Sequence, residues 1–131
     1  MNDSRPLRVA MLGQYPEHPG RIGGGVEAVV ATLAGEMARR PELDLHVLRC
    51  VVGLDAPREE RRDGLTVHWL PRRRFGRATF HCREVAELRR CLRRVRPDVA
   101  HAHGTGLYAG AAVGAGLPAV ITVHGIVYRE A

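Results

Sequence analysis

The chain has 131 residues, 45% of them hydrophobic and 26% charged, which fits one globular domain and excludes wholesale disorder and fibrous repeats. The net charge is +6, and all 20 basic residues are arginine. Because the chain has no lysine, chemistry that needs a lysine nucleophile, a Schiff base or a P-loop lysine is excluded. The excess of positive charge favours anionic partners such as phosphate groups or acidic lipid headgroups.

Strands alternate with helices along the chain. The first apolar run ends in glycine, and a loop closing on three glycines leads into a helix with regularly spaced apolar residues. The charged residues 55–63 predict a loop. The predicted strands are Leu7–Gly13, Leu43–Val52, Leu65–Leu70, Asp98–His103 and Ala119–His124, and the predicted helices are Val26–Met37, Arg77–Arg94 and Gly106–Ala115.

This alternation predicts an α/β fold with a Rossmann-like, doubly wound parallel sheet in three layers and a strand order of 3-2-1-4-5. Residues 104–123 are uncharged and repeat glycine as some membrane helices do, but Pro118 and weak hydropathy favour a small-residue helix followed by a strand. The three cysteines lack paired spacing and the N-terminus lacks an apolar signal region. Both features predict a cytoplasmic protein with reduced, mostly buried thiols.

Three features fall at the carboxyl ends of predicted strands, where open parallel sheets bind their ligands. Gly24 and Gly25 open the first helix, His103 ends the fourth strand, and His124 ends the fifth and precedes Gly125. Glycines let backbone N–H groups approach an anion at a helix N-terminus, so this loop predicts contact with a phosphate or pyrophosphate. A purely conformational role for the glycines is the alternative. We expect all of these residues to share one crevice.

Other chemistries fit these residues less well. The loop satisfies a loose dinucleotide-binding pattern, but about ten residues separate it from the first strand, and no acid ends the second strand. His101 and His103 lie on one face of a strand and with His124 could ligate a metal, yet no carboxylate backs them, so we expect no metal. The remaining histidines show no grouping and are interpreted as incidental: His18, His46, His68 and His81.

The densest basic run is Arg72, Arg73 and Arg74, followed by Phe75. One interpretation is a solvated loop. The other is a contact with an anionic surface or acceptor, in which the arginines bind headgroups and Phe75 is an apolar anchor. The second interpretation predicts a peripheral contact with the inner face of the membrane. No nucleic-acid-binding module is recognisable, so nucleic acid is not a predicted partner.

Three segments in series resemble the N-terminal domain of GT-B glycosyltransferases, specifically glycosyltransferase family 4. The segments are Gly24-Gly25-Val26-Glu27, Arg96-Pro97-Asp98-Val99-Ala100-His101-Ala102-His103 and Leu117-Pro118-Ala119-Val120-Ile121-Thr122-Val123-His124-Gly125. The resemblance implies a retaining hexosyltransferase with a nucleotide-sugar donor and without a metal or other cofactor. It also implies that the loop at Gly24 and Gly25 approaches the donor phosphates, and that His124 is a catalytic residue near the transferred sugar. We expect His103 and Gly125 to contact the substrate or the donor phosphates.

Residues 1–131 would then be an incomplete acceptor-side domain whose C-terminal donor domain is absent, and we expect this chain alone to be inactive. The expected partners are a nucleotide sugar, a glycan or lipid acceptor, and a second copy bound through the open edge of the fifth predicted strand. Two alternatives remain at this point: a dinucleotide-binding oxidoreductase domain and a non-catalytic binding or partner domain.

Overall fold

The structure, a computed structural model, describes residues 5–18, 20–74 and 81–125. Its strands are β1 Leu7–Leu12, β2 Leu43–Val52, β3 Arg58–Arg62, β4 Leu65–Arg72, β5 Val99–His103 and β6 Ala119–Thr122, and its helices are α1 Gly25–Ala38, α2 Cys82–Val95 and α3 Leu107–Val113. All the predicted elements are present. The second helix begins at Cys82 rather than Arg77, and residues 77–80 lie outside the described residues.

The strands form one sheet in the order β3-β4-β2-β1-β5-β6, and every pairing is parallel except that of β3 with β4. The predicted fold class and the relative order of the five predicted strands are therefore confirmed. In this order β1 is central, and its carboxyl end lies between those of β2 and β5. The sheet thus collects the ends of three different strands where ligands bind in open parallel sheets.

The charged segment 55–63 was predicted as a loop, and this prediction is wrong, because it contains the antiparallel edge strand β3. Asp63 and Gly64 both have positive φ, 50° and 86°, as a tight hairpin turn requires. The charged strand is held by Trp69 on β4: the indole Nε1 donates to Glu60 Oε1 at 2.9 Å, and the Arg62 guanidinium lies 5.5 Å from the ring centroid. Contacts of its charged side chains with Trp69 therefore stabilise β3, and its sequence lacks the alternating apolar residues from which a strand is predicted.

Helices cover both faces of the sheet. Helix α1 packs on one face, over a core that includes Val9, Met11, Val47 and Trp69. Helices α2 and α3 pack on the other face, over the remaining buried residues of the central strands. None of the described helices is long and apolar enough to cross a membrane, and the uncharged stretch forms the short helix α3 and strand β6.

Candidate functional site

The glycine loop opens α1 without a side-chain cap. Gly24 occupies the position before the first helical residue with an extended backbone, and among the described residues no side-chain cap hydrogen bond is made at this position. The first N–H groups of any helix lack intrahelical acceptors, so they remain available to a ligand or water. A Cβ added at Gly24 or Gly25 would meet nothing within 4 Å. The space next to these backbone groups is therefore open.

An ion pair that the sequence did not reveal holds this loop on the sheet. Glu27 in the first turn of α1 accepts the Gly23 N–H through Oε1 at 2.8 Å, and its Oε2 lies 3.3 Å from Arg49 Nη1. Arg49 on β2 also donates to the backbone carbonyl of Tyr15. The sequence did contain one signal, because Arg49 lies among apolar residues in the second half of β2. A buried arginine needs a hydrogen-bonding or charged partner.

An open cavity of about 500 Å³ lies beside the loop and has a lining of mixed charge that includes Glu17, Arg21, Glu27 and Arg49. Neither histidine at the carboxyl ends of β5 and β6 lines it. The glycine loop follows β1, and the histidines lie at the carboxyl ends of the parallel strands β5 and β6, so both lie at the same end of the sheet. They do not line the same cavity.

The structure brings three of the predicted histidines together. His103 Nδ1 lies 3.0 Å from His124 Nε2, and the His101 and His103 rings are 4.4 Å apart between centroids. His101 Nε2 in turn lies 2.7 Å from the Thr122 hydroxyl. Gly125 follows this cluster directly and is half-buried. The carboxyl ends of β5 and β6 thus present a continuous imidazole surface.

Burial keeps His101 and His103 uncharged. Burial lowers the pKa of His103 to about 4, with the neighbouring rings of His101 and His124 as the secondary cause. Burial likewise lowers the pKa of His101. Both rings are neutral at neutral pH and can donate as well as accept hydrogen bonds. In the part of the chain that the structure describes, no group of three or more histidine, cysteine or acidic side chains could hold a metal ion.

The cysteines offer little nucleophilic chemistry. Burial raises the pKa of the Cys50 thiol to about 12 and that of Cys91 to about 11, so neither is a thiolate at neutral pH. Two of the three thiols, those of Cys50 and Cys91, are buried as predicted, and Cys82 is exposed at the start of α2.

The basic run follows β4, which β2 and β1 separate from β5 and β6 in the sheet. Arg72 ends β4 and is half-buried, whereas Arg73 and Arg74 are exposed. The Arg73 backbone N–H donates to Glu84 Oε2 on α2 at 2.9 Å, which fixes the path of the chain as it leaves the sheet. Phe75 lies outside the described residues.

The interpretation of His46 and His68 as ungrouped is wrong. His46 Nδ1 lies 2.9 Å from His68 Nε2, and the two rings are stacked with centroids 5.2 Å apart. His46 on β2 pairs in register with Thr66, two residues before His68 on β4, so both rings point to one face of the sheet. Strand register cannot be read from the spacing in the sequence, which is why the pair was not predicted.

Comparison with known families gives these features a context. The model of Glycosyltransferase Family 4 matches residues 23–131, from the glycine loop through β6. The chain belongs to glycosyltransferase family 4. Among solved structures, it is similar to the crystal structure of α,α-trehalose 6-phosphate synthase from Burkholderia multivorans, at 19% sequence identity and a TM-score of 0.48. That similarity covers 93% of this chain and 34% of the synthase, so the chain spans about a third of its length. No curated protein matches the sequence.

Membership of glycosyltransferase family 4 decides between the classes that the glycine pattern alone left open. The matched region contains all three segments on which the resemblance depended, including Gly24, His103 and His124. A glycosyltransferase domain is therefore favoured over a dinucleotide-binding oxidoreductase domain.

Proposed function

We propose that this chain is the acceptor-side domain of a two-domain, nucleotide-sugar-dependent glycosyltransferase that transfers a hexose with retention of configuration. One observation carries the proposal: the uncapped opening of α1 at Gly24 and the His103–His124 pair lie at the same end of a parallel sheet. An uncapped helix N-terminus attracts an anion such as a diphosphate. Imidazoles offer hydrogen bonds to sugar hydroxyls.

Each group has a separate task in this proposal. The backbone N–H groups at Gly24 and Gly25 stabilise negative charge on the donor phosphates, which grows as the sugar leaves. His124 and Gly125 contact the transferred sugar, and His103 supports His124 through the contact between its Nδ1 and His124 Nε2. The donor is bound as a substrate, and the proposal includes no metal or other cofactor.

A second domain has to hold the rest of the donor. Transfer requires that the leaving phosphate be held more tightly in the transition state than in the ground state. Among the described residues, the proposal gives the donor phosphates one glycine loop as their anion site, so the 131-residue chain should bind a nucleotide sugar weakly and transfer nothing. Sugar transfer by the purified chain, measured with radiolabelled nucleotide sugars and mixed acceptors, would contradict this division of labour.

The acceptor is a glycan or a lipid-linked saccharide, presented at the cytoplasmic face of a membrane. The exposure of Arg73 and Arg74 supports this part of the proposal, because exposed cationic side chains bind anionic headgroups without a burial penalty. The outer edge of β6 supports a further part of the proposal, association with a second copy, because Val120 on this strand and Val123 directly after it are about half-exposed.

Gly24→Ala tests the glycine loop with little risk to the fold. The extended backbone at Gly24 accepts any residue, and the added methyl group meets no protein atom within 4 Å. It would, however, occupy the space through which a phosphate approaches the backbone. We expect wild type to bind uridine or guanosine diphosphate sugars weakly in isothermal titration calorimetry, and Gly24→Ala to bind at least about tenfold more weakly, a loss of roughly 1.4 kcal/mol.

Gly35→Ala is the matched control, because Gly35 lies in the same helix and also has open space around it. This variant should bind as wild type does. Equal binding by wild type and Gly24→Ala would show that the loop does not contact the donor phosphates.

A further inference from the structure

His103 is almost fully buried at the end of β5 and has an unusual hydrogen-bond pattern. Its Nδ1 faces His124 Nε2 at 3.0 Å, whereas its own Nε2 is buried and has no partner among the described residues. The ring has little freedom to turn. A Cβ added at Gly13 would lie 3.3 Å from the His103 Cβ, and the His101 ring lies on another side.

The contact between His103 and His124 requires one hydrogen between the two facing nitrogens, because two N–H groups would collide and two lone pairs would repel. Two arrangements satisfy this condition for neutral rings. In the first, His103 donates from Nδ1 and His124 accepts at Nε2, so His124 carries its own proton on Nδ1. In the second, His124 donates from Nε2, and His103 carries its proton on Nε2.

The buried Nε2 of His103 distinguishes the two arrangements. In the second arrangement this atom would be a buried N–H donor without an acceptor, which is rarer in folded proteins than an under-satisfied acceptor. We propose that His103 is a positioning residue that donates its Nδ1 proton to His124 and thereby fixes His124 as the Nδ1–H tautomer. The low pKa of His103, about 4, is consistent with a ring that stays neutral while it donates.

The tautomer determines what His124 can offer a ligand. Nδ1 is the one nitrogen of this ring that does not face His103, and with its proton in place it donates a hydrogen bond. A suitable ligand atom is therefore an oxygen with a free lone pair, such as a hydroxyl or phosphate oxygen of the nucleotide sugar. This last step depends on the proposed function, whereas the tautomer of His124 does not.

Two-bond ¹H–¹⁵N correlation spectra of the histidine-labelled chain at neutral pH test the assignment, because a protonated ring nitrogen resonates apart from a bare one. We expect the His124 Nδ1 to show the protonated shift in wild type. His103→Phe should remove this bias, so that a substantial fraction of His124 moves its proton to Nε2. His103→Asn, whose side-chain amide can donate from about the position of Nδ1, should restore the wild-type pattern.

His101→Asn is the matched control. It changes the neighbouring ring on the same strand, whose Nε2 contacts Thr122 rather than His124, and it should leave the His124 tautomer unchanged. An Nε2–H tautomer of His124 in wild type overturns the proposal, as does an unchanged tautomer in folded His103→Phe. If His103→Phe does not fold, wild type and His103→Asn still decide.

Adding a nucleotide sugar separates this inference from the proposed function. A shift of the His124 Nδ1 signal supports both. An unmoved signal, with the Nδ1–H tautomer present, refutes the role of His124 in donor binding and leaves its positioning by His103 established.

Discussion

Arg49 connects three segments that are distant in the sequence. From its position on β2 it reaches the Tyr15 carbonyl in the loop after β1 and the Glu27 carboxylate in α1. The side chains of Arg49 and Glu27 are only 18% and 14% exposed. When one member of such a pair is removed, the other remains desolvated without a partner, which destabilises the fold more than an exposed pair could stabilise it.

Glu27→Ala should therefore lower the free energy of unfolding by about 2 kcal/mol, because Arg49 loses its counter-ion and the Gly23 N–H loses its acceptor. Urea denaturation measures the change. The double variant with Arg49→Ala should lose less than the sum of the single variants, because the contact can be lost only once.

The exposed pair of Glu36 and Arg39 at the end of the same helix is the control, since its side chains are 66% and 80% exposed. Glu36→Ala should change stability by less than about 0.5 kcal/mol. Strict additivity of Glu27→Ala and Arg49→Ala would argue against a functional coupling between the two side chains.

Between elements, the stacked pair of His46 and His68 joins β2 to β4. Asp44 Oδ1 lies 3.4 Å from His46 Nε2, and Glu59 Oε1 on β3 lies 3.6 Å from His68 Nδ1. Burial lowers the pKa of His68 to about 4, and the neighbouring His46 and the positive Arg94 on α2 lower it further, while Glu59 opposes them. Between about pH 4 and pH 6.5, His68 is therefore neutral in the folded protein and protonated in the unfolded chain.

This difference makes stability depend on pH. His68 takes up its proton near pH 6.5 in the unfolded chain and only near pH 4 in the folded one, so its contribution is complete above pH 6.5 and is lost as the pH falls to 4. The loss is about 3 kcal/mol at most. His68→Gln keeps a polar contact to His46 without a titrating group, and its unfolding free energy should vary less between these two pH values. Parallel pH profiles of wild type and variant in urea denaturation would exclude His68 as the cause.

The sequence predicted those elements whose signal lies within their own residues. Five strands are apolar runs bounded by glycines, prolines or helices: β1, β2, β4, β5 and β6. The preference for right-handed crossovers then limits the order of these strands in the sheet. β3 was missed because its stabilising partner is Trp69, across a turn, and because its own residues are charged. The adjacent Asp63-Gly64 pair was the available hairpin signal.

The site was predicted to a similar extent. His103 and His124 were found because each ends a predicted strand, and strand ends meet in a parallel sheet. Arg49 and its contact with Glu27 were missed, as was the His46–His68 pair, because these contacts depend on strand register and on side-chain direction. Neither quantity is specified by spacing along the chain.

At the scale of the whole molecule, positive charge is the dominant surface property. Exposed arginines occur both after β4, at Arg73 and Arg74, and at the end of α1, at Arg39 and Arg40. The two pairs carry the same charge, but only Arg73 and Arg74 are followed in the sequence by Phe75, the proposed apolar anchor. They can therefore separate a specific membrane contact from general attraction to negative charge.

Replacing Arg73 and Arg74 with serine should weaken binding to phosphatidylserine vesicles by about 2 kcal/mol, roughly a factor of 30, because each arginine near an anionic bilayer contributes about 1 kcal/mol. Replacing Arg39 and Arg40 removes equal charge and should have a much smaller effect. Co-sedimentation at low salt measures both. Equal losses for the two double variants would indicate unspecific attraction.

Among the described strands β6 is an edge strand, and its unpaired backbone groups beside the exposed Val120 and Ile121 should make the chain self-associate. Analytical ultracentrifugation of wild type should show a species that grows with concentration, and Val120→Lys should be monomeric. Val113→Lys, on α3 and 65% exposed before substitution, should associate as wild type does. A wild-type chain that stays monomeric at high concentration would contradict the proposed association.

The central position of β1 has a consequence for synthesis on the ribosome. β1 is the first of the described strands to be synthesised, yet one of its edges is completed only when Val9 pairs with Val99 of β5. Until then a nascent chain carries an apolar strand with an open edge, and contacts between such distant segments form slowly. We therefore expect the nascent chain to be prone to aggregation through the β1 segment until β5 has been synthesised.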